Sequence, residues 1–383
     1  MRILLLILSL VLLTGCGRLW EREPSPPALP PASTPNTGTS TNSTPVATSP
    51  NSFADVVDRV APAVVTIHSS RRSRAPRQHP FFDDPRLREF FGLPRAPQSD
   101  APRVRGLGSG VIVSADGYIL TNHHVIDGAE EITVALTDNR SFSAKLVGSD
   151  PPSDLAVLKI DERSLPVLNM GDSDRARVGD VVLAIGNPLG LEQTVTAGII
   201  SAKGRSTGLS DGTFEDFLQT DAPINQGNSG GALVSATGEL IGINSQILSP
   251  TGGNIGIGFA IPVNMAKNVM DQIVRSGTVR RGSLGVTIQP LTPDMVSRLG
   301  LQNARGALVS SVVGGSPAER GGVRTGDVII GFNGAAVSDP NALRNAVART
   351  PPGSDVTLTV WRDGREQQLR VRLGELSVQQ RSE

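Results

Sequence analysis

From Ser52 onward the apolar residues fall in short runs. "AVVTIHS" (63–69), "SGVIVS" (109–114), "GYILT" (117–121), "EITVALT" (131–137), "LAVLKI" (155–160), "VVLAIG" (181–186), "GALVS" (231–235) and "ELIGIN" (239–244) are separated by Gly, Asp, Asn and Ser. Many short strands with turn residues between them predict a β-barrel or sandwich, not alternating α/β units. Two stretches follow the helical period instead. Phe53, Val56, Val57 and Val60 recur at that spacing, with Ser52 as the expected N-cap, Asp55 at the third helical position and Pro62 as the stop. Ala266, Val269, Met270 and Ile273 do the same, and Gly277 closes that helix.

The first 51 residues follow neither pattern. Met1-Arg2 precede an apolar run that ends at Cys16, which reads as a secretory signal. The run Leu13-Thr14-Gly15-Cys16 resembles the bacterial lipoprotein box, which implies a lipid on Cys16 as the mature N-terminus. By the same resemblance Gly17 favours the outer membrane. Residues 17–51 are rich in Pro, Ser and Thr and cannot bury enough surface to fold, so they are expected to be a tether. Fully extended, it spans on the order of 100 Å. No apolar run reaches the roughly 20 residues of a spanning helix.

Composition narrows the picture further. The chain has 383 residues, enough for two or three domains. Its formal net charge is zero, which gives no electrostatic case for nucleic acid as the partner. Cys16 is the only cysteine, so no intramolecular disulfide is possible. No His or Cys cluster has metal-ligand spacing, so no metal and no cofactor is expected. One long insertion, residues 69–105, holds Arg71, Arg72, Arg74 and Arg77, several prolines, and the pairs Phe81-Phe82 and Phe90-Phe91. It is expected to be a flexible loop.

The chain holds four histidines, and His123 and His124 stand together in "TNHHV". A partner is found in "TDAPINQGNSGGALV", residues 220–234, where Ser229 lies among glycines just before an apolar run. Glycines permit a tight turn whose N–H groups converge, which a serine nucleophile needs for the oxyanion it creates. A serine also needs a histidine base and a carboxylate to orient it, and Asp154 in "SDLAVLKI" is the candidate orienter. The order His, Asp, Ser is that of chymotrypsin, not of α/β-hydrolases or subtilisins. Spacing alone does not choose between the two histidines: on an extended chain they face opposite ways, so only one serves the site. "GDSD" at 171–174 lacks flanking glycines and reads as a turn. "GLGSG" at 106–110 precedes a strand instead of following one and is no dinucleotide fingerprint.

"GSGVIV", "GYILTNHHVI", "SDLAVLKI", "GNPLGLEQTVTAGIIS", "TDAPINQGNSGGALV" and "GIGFAIP" together resemble the HtrA/Deg family of serine proteases, over nearly all of Ser52 to Gly374. The resemblance implies an all-β, chymotrypsin-like double β-barrel over 52–277 and an α+β PDZ domain over 280–374, with 375–383 as a tail. It makes His124 the general base, because the family pattern Thr-Asn-x-His-Val places that residue second. Asp154 then orients it and Ser229 attacks. The backbone of Gly227 and Ser229, with Asn228, is expected to hold the oxyanion.

Trypsin-like enzymes activated by cleavage carry an aspartate where this chain has Asn228, so activation here is expected through loop rearrangement. Trypsin carries an acidic residue at its pocket base six residues before its serine. Here that position is Pro223, flanked by Ala222 and Ile224, so an apolar pocket for small aliphatic side chains is expected. In the PDZ domain, Ser283, Leu284, Gly285 and Val286 correspond to the carboxylate-binding loop. Val286, Ile288, Leu343 and Val347 are expected to line the pocket for a terminal side chain. The helix carrying Leu343 is expected to open with Pro340.

The implied function is an ATP-independent endopeptidase of the periplasm. It would be lipid-anchored, trimeric with Phe53 as a candidate contact, and directed at unfolded polypeptides and C-terminal peptides. A site-specific regulatory protease and a PDZ-bearing chaperone or scaffold are the alternatives.

Overall fold

The structure is a computed structural model, and it describes residues 52–72, 103–187, 193–207, 214–225, 227–247 and 255–376. The signal, Cys16 and the tether, all within the N-terminal unit Met1–Asn51, lie outside the described residues. Arg74, Arg77, Phe81, Phe82, Phe90 and Phe91 of the predicted loop lie outside them as well.

Helix α1 (Ala54–Val60) leads in. Its cap is Phe53 without a side-chain bond, and Ser52 Oγ accepts the Ala54 N–H instead. Pro62 falls in a single 3-10 turn, Ala61–Ala63, that ends the helix. Seven strands then form one antiparallel sheet: β1 (Val64–Arg72), β2 (Arg103–Ile112), β3 (Tyr118–Thr121), β4 (Glu131–Ala135), β5 (Ser141–Ser143), β6 (Lys145–Asp150) and β7 (Leu155–Lys159). Their spatial order is β5-β4-β1-β2-β3-β7-β6. The ends of the predicted loop 69–105 are therefore strand, because β1 and β2 stay in register out to Arg72 and Arg103.

Six more strands close a barrel: β8 (Val181–Gly186), β9 (Thr194–Arg205), β10 (Phe217–Thr220), β11 (Ala232–Ser235), β12 (Leu240–Ile247) and β13 (Gly258–Pro262). Strands β7, β8, β11 and β13 are buried on both faces or nearly so, which is why they read as continuous apolar runs. Between β3 and β4, His123–Ile126 forms one helical turn, α2. The two histidines are thus about 100° apart around a helix, not on opposite faces of an extended chain. Helix α3 (Val263–Ser276) packs Met265, Ala266, Val269 and Ile273 inward and stops at Gly277 in the left-handed conformation.

The last module is a six-stranded sheet, a two-stranded one formed by its first and last strands, and three helices. It holds β14 (Gly282–Ser283), β15 (Val286–Gln289), α4 (Pro293–Leu299), β16 (Ala307–Val312), α5 (Pro317–Arg320), β17 (Val328–Phe332), β18 (Ala335–Ala336), α6 (Pro340–Arg349), β19 (Asp355–Arg362), β20 (Arg365–Arg372) and β21 (Gly374–Glu375). Pro340 opens α6, and the Asp339 carboxylate caps it by accepting the Ala342 N–H. Strand β15 is an edge of the sheet, and among the described residues its side opposite β16 carries no strand.

Candidate active site

Asp154 is delivered by the chain between β6 and β7. Asp150 caps a 3-10 turn, Pro151–Ser153, and Asp154 follows it at φ 54°, ψ 40°. A non-glycine residue in that region is strained, and its surroundings must hold it. They do: Asn122 Nδ2 and His123 N–H both donate to the Asp154 carbonyl, at 2.9 and 3.1 Å. The carboxylate then meets His124. The His124 Nδ1–Asp154 Oδ2 distance is 2.8 Å, and the His124 backbone N–H donates to Oδ1 at 3.0 Å. Both side chains remain partly open to solvent. His123 turns away, with Nε2 3.6 Å from Asp127.

Ser229 reaches the same cleft from the turn before β11. Gly227 and Gly230 have φ of 101° and 82°, values a side chain rarely adopts. Gly230 also has no room for a Cβ, which would strike the Ser109 carbonyl. Ser109 ties this turn to the first sheet. Its N–H donates to the Ser229 carbonyl at 2.8 Å, and its Oγ donates to the Gly227 carbonyl at 2.6 Å. It also accepts the Asn187 N–H at 2.9 Å. The role of Ser109 is invisible in "GLGSG", because each of its partners is far away in sequence.

Ser245 is the other residue that sequence reasoning missed. A bulge in β12 lies between Asn244 and Gln246, and bulges re-aim side chains. Ser245 Oγ donates to Asp154 Oδ2 at 2.9 Å, a third bond on that carboxylate. Its carbonyl accepts the Ser229 hydroxyl at 2.9 Å. Among the described residues no hydrogen bond joins Ser229 to His124; the hydroxyl is held by the Ser245 carbonyl instead.

The expected oxyanion donors need a correction. The Asn228 N–H is taken by the Asn225 carbonyl at 3.0 Å. Asn228 instead packs its side chain, 2 % exposed, against Gly186. Among the described residues the N–H groups of Gly227 and Ser229 donate to nothing, so these two are the available pair.

The cleft beside Ser229 has a volume of about 610 Å³ and is lined by His124, Phe214, Phe217, Ile224, Gln246 and Ile247, among others. Two of the three expected pocket residues do not reach it. Ala222 is fully buried in the barrel core, and Pro223 is exposed, its carbonyl accepting from Thr196 Oγ1 at 2.7 Å. Ala222 and Ile224 both turn into the barrel, but of the three only Ile224 also borders the cleft, and Gly258 leaves it room. The pocket wall is apolar, but by Ile224, Ile247 and the phenylalanines. The Glu215 carboxylate also borders the cleft, bound by Ser206 Oγ and Thr207 Oγ1 at 2.8 and 2.9 Å.

In the last module, Leu284, Leu343 and Val347 are buried in its core, with Val286 and Ile288 half-buried beside them. Gly285 has φ 73° and lies too close to Ser316 for any side chain. Ser283 belongs to β14. The module is pinned to the cleft's rim. Asn341 and Asn345 on α6 both donate to the Glu215 carbonyl, at 2.8 and 2.7 Å, and Arg349 meets Asp216 at 3.2 Å.

Residues 108–243 match the model of the trypsin-like peptidase domain, and residues 282–373 match that of the PDZ domain. A "Probable periplasmic serine protease do/HhoA-like" of Haemophilus influenzae is 47% identical over 332 residues, covering 84% of this chain and 71% of the relative. A "Probable periplasmic serine endoprotease DegP-like" of Hahella chejuensis is 47% identical over 334 residues, covering 85% and 70%. Among solved structures, "HtrA-type protease AlgW with tripeptide" aligns with TM-score 0.69 at 47% identity over 85% of this chain and 98% of that one.

Proposed function

The chain belongs to the HtrA/Deg family of trypsin-like serine endopeptidases with a PDZ domain, and from that premise we propose that His124, Asp154 and Ser229 are its catalytic triad. The observation that carries the reading is the 2.8 Å His124–Asp154 pair opening on the cleft that holds Ser229. The Ser229 hydroxyl leaves the Ser245 carbonyl and turns to His124 Nε2. His124 takes its proton as Oγ attacks the peptide carbonyl, and Asp154 stabilises the imidazolium. The Gly227 and Ser229 N–H groups hold the oxyanion. The proton then passes from His124 to the leaving amine, and water repeats the sequence on the acyl-enzyme.

The enzyme cuts unfolded polypeptides without ATP, after small aliphatic residues that fit against Ile224. Its PDZ domain takes a substrate or activator C-terminus as an added strand on β15, with Ser283, Leu284, Gly285 and Val286 holding the terminal carboxylate. The names of its relatives support a periplasmic location. A lipid on Cys16 tethers it to a membrane, the outer one by the residue that follows, and three copies associate around Phe53. The boundaries 1–16, 17–51, 52–277, 280–374 and 375–383 go with this reading.

A second reading, a regulatory protease that cuts one partner, is favoured by the resting Ser229 hydroxyl. Casein degradation by the chain, with Ser229→Ala as control, separates the two. Broad cleavage after Val, Ala or Ile that vanishes in the control supports the first reading. Absence of casein cleavage with retained cleavage of a single envelope protein supports the second. Equal cleavage by both proteins overturns the triad.

A further inference from the structure

We propose that Arg71 is a specificity residue for the leaving-group side of the substrate, favouring Asp or Glu among the first two residues after the scissile bond. This rests on the endopeptidase reading above.

A second hollow, about 260 Å³, lies on the other side of His124 from the main cleft. Ser69, Ser70, Arg71, Asp127 and Ala129 line it, and His124 is the wall the two hollows share. The imidazole that takes the serine proton returns it to the leaving amine, so that amine departs within hydrogen-bond reach of Nε2. The acyl half of the substrate occupies the side of Ser229 and Ile224. The residues after the leaving nitrogen therefore continue past His124 toward the second hollow. Among the described residues β3 pairs with β2 only at Val111 and Ile112, so the edge of β2 before Ser109 borders that path without a strand on it.

The polar groups of the hollow are already engaged, with one exception. Ser69 Oγ donates to the Val125 carbonyl at 2.7 Å, and Ser70 Oγ lies 3.4 Å from Glu131 Oε2. Asp127 faces His123. Arg71 is exposed, and among the described residues no carboxylate pairs with it. Its side chain runs beside Gly128, with Cδ and Nη1 3.7 and 3.8 Å from where a Cβ would stand. A Cβ there would make only ordinary van der Waals contact, so nothing at Gly128 crowds the guanidinium. The volume of about 260 Å³ limits the occupant to a short side chain. A guanidinium beside a small polar hollow suits a carboxylate, which it can bind through two N–H groups.

The test is cleavage-site profiling of casein by the full chain, with both ends of every fragment sequenced by mass spectrometry. Asp and Glu are expected at the two positions after the cut with roughly two- to five-fold enrichment over their frequency in casein, the range an exposed ion pair supplies. The enrichment falls as salt is raised. Arg71→Glu is expected to replace it with enrichment of Lys and Arg, and Asp127→Asn to strengthen it. The two variants act in opposite directions, so a loss of folding in one does not mimic the result. Ser229-dependent cleavage with no acidic enrichment, or with the same profile in Arg71→Glu, overturns the proposal and leaves the protease reading standing. Cleavage that persists in Ser229→Ala overturns both.

Discussion

Arg281 and Asp150 face each other across the joint between the barrels and the PDZ module, each only 6 % exposed. Nη1 donates to Oδ1 at 2.7 Å, and Nη2 meets Oδ2. The guanidinium also stacks on Phe214, 4.5 Å from the ring centre. Asp150 is the cap of the turn that presents Asp154, and the Phe214 N–H donates to Pro152 within that turn. One arginine at the edge of the PDZ module thus braces the orienting carboxylate and a wall of the substrate cleft.

Removing it strands a buried carboxylate. Arg281→Ala is expected to lower stability by about 3–5 kcal/mol and to reduce kcat, because Asp154 loses its support. Urea unfolding and initial rates on one peptide check both. Arg281→Lys keeps the charge but not the paired geometry, and is expected to recover only part of either. An alanine variant as stable as the parent contradicts the role assigned to the pair.

Ser245 gives a narrower test of the triad. Ser245→Ala deletes the hydroxyl on Asp154 and keeps the carbonyl that accepts Ser229. A bond to a charged group contributes about 1.5–3 kcal/mol, so kcat is expected to fall at least about ten-fold, with KM little changed. Asp154→Asn is expected to cost about 10⁴-fold. If Ser245→Ala matched the parent in kcat, the third bond would have no part in orienting His124.

Ile224 is the testable part of the acyl pocket. Ile224→Ala enlarges the cleft where Gly258 already leaves space, and is expected to move the preference from Val and Ala toward Leu and Phe. One or two methylenes discriminate by about 1–3 kcal/mol, a shift that competition between paired peptides measures directly. The same substitution at Pro223 is expected to leave the preference as it was, since that residue is exposed and does not line the cleft.

Asp216 predicts a pH effect on stability. Burial pushes its carboxyl above the ordinary 3.8, with Arg349 the main opposing influence. A raised folded-state pKa favours the protonated form, so this contribution is complete below about 3.8 and is lost as pH climbs through the raised value. Asp216→Asn is therefore expected to gain stability relative to the parent as pH rises across that window. The difference in urea midpoint from pH 3.5 to 7 reads it. Asp138, Asp172 and Glu375 are held below their ordinary values and act with the opposite sign, but they are common to both proteins and cancel. A difference that shrinks with pH contradicts the assignment.

Much of the fold is legible in the residue pattern because strand and helix periods are local properties. The apolar runs 155–160 and 181–186 became buried strands, and the run ending at Gly277 became α3. The failures are also local. "HHVI" has too few residues to declare a helical turn, and the ends of 69–105 gave no strand signal until β1 and β2 paired. Counting back from Ser229 points to Ala222 and Pro223 as pocket residues, but counting does not report which side chains reach the cleft.

What the sequence determined by itself is the chemistry: a serine among glycines, a histidine, an aspartate, their order, and the motifs of a trypsin-like and a PDZ domain. These are properties of residue type and spacing along one chain. Only the tertiary structure decided which groups converge on them. Ser109 locks the nucleophile turn to the opposite sheet, and Ser245 reaches Asp154 through a bulge. Arg281 braces the Asp150 turn from 131 residues away. Hydrogen bonds and ion pairs act over a few ångströms of space with no regard to sequence distance, so no reading of neighbours along the chain could have found them.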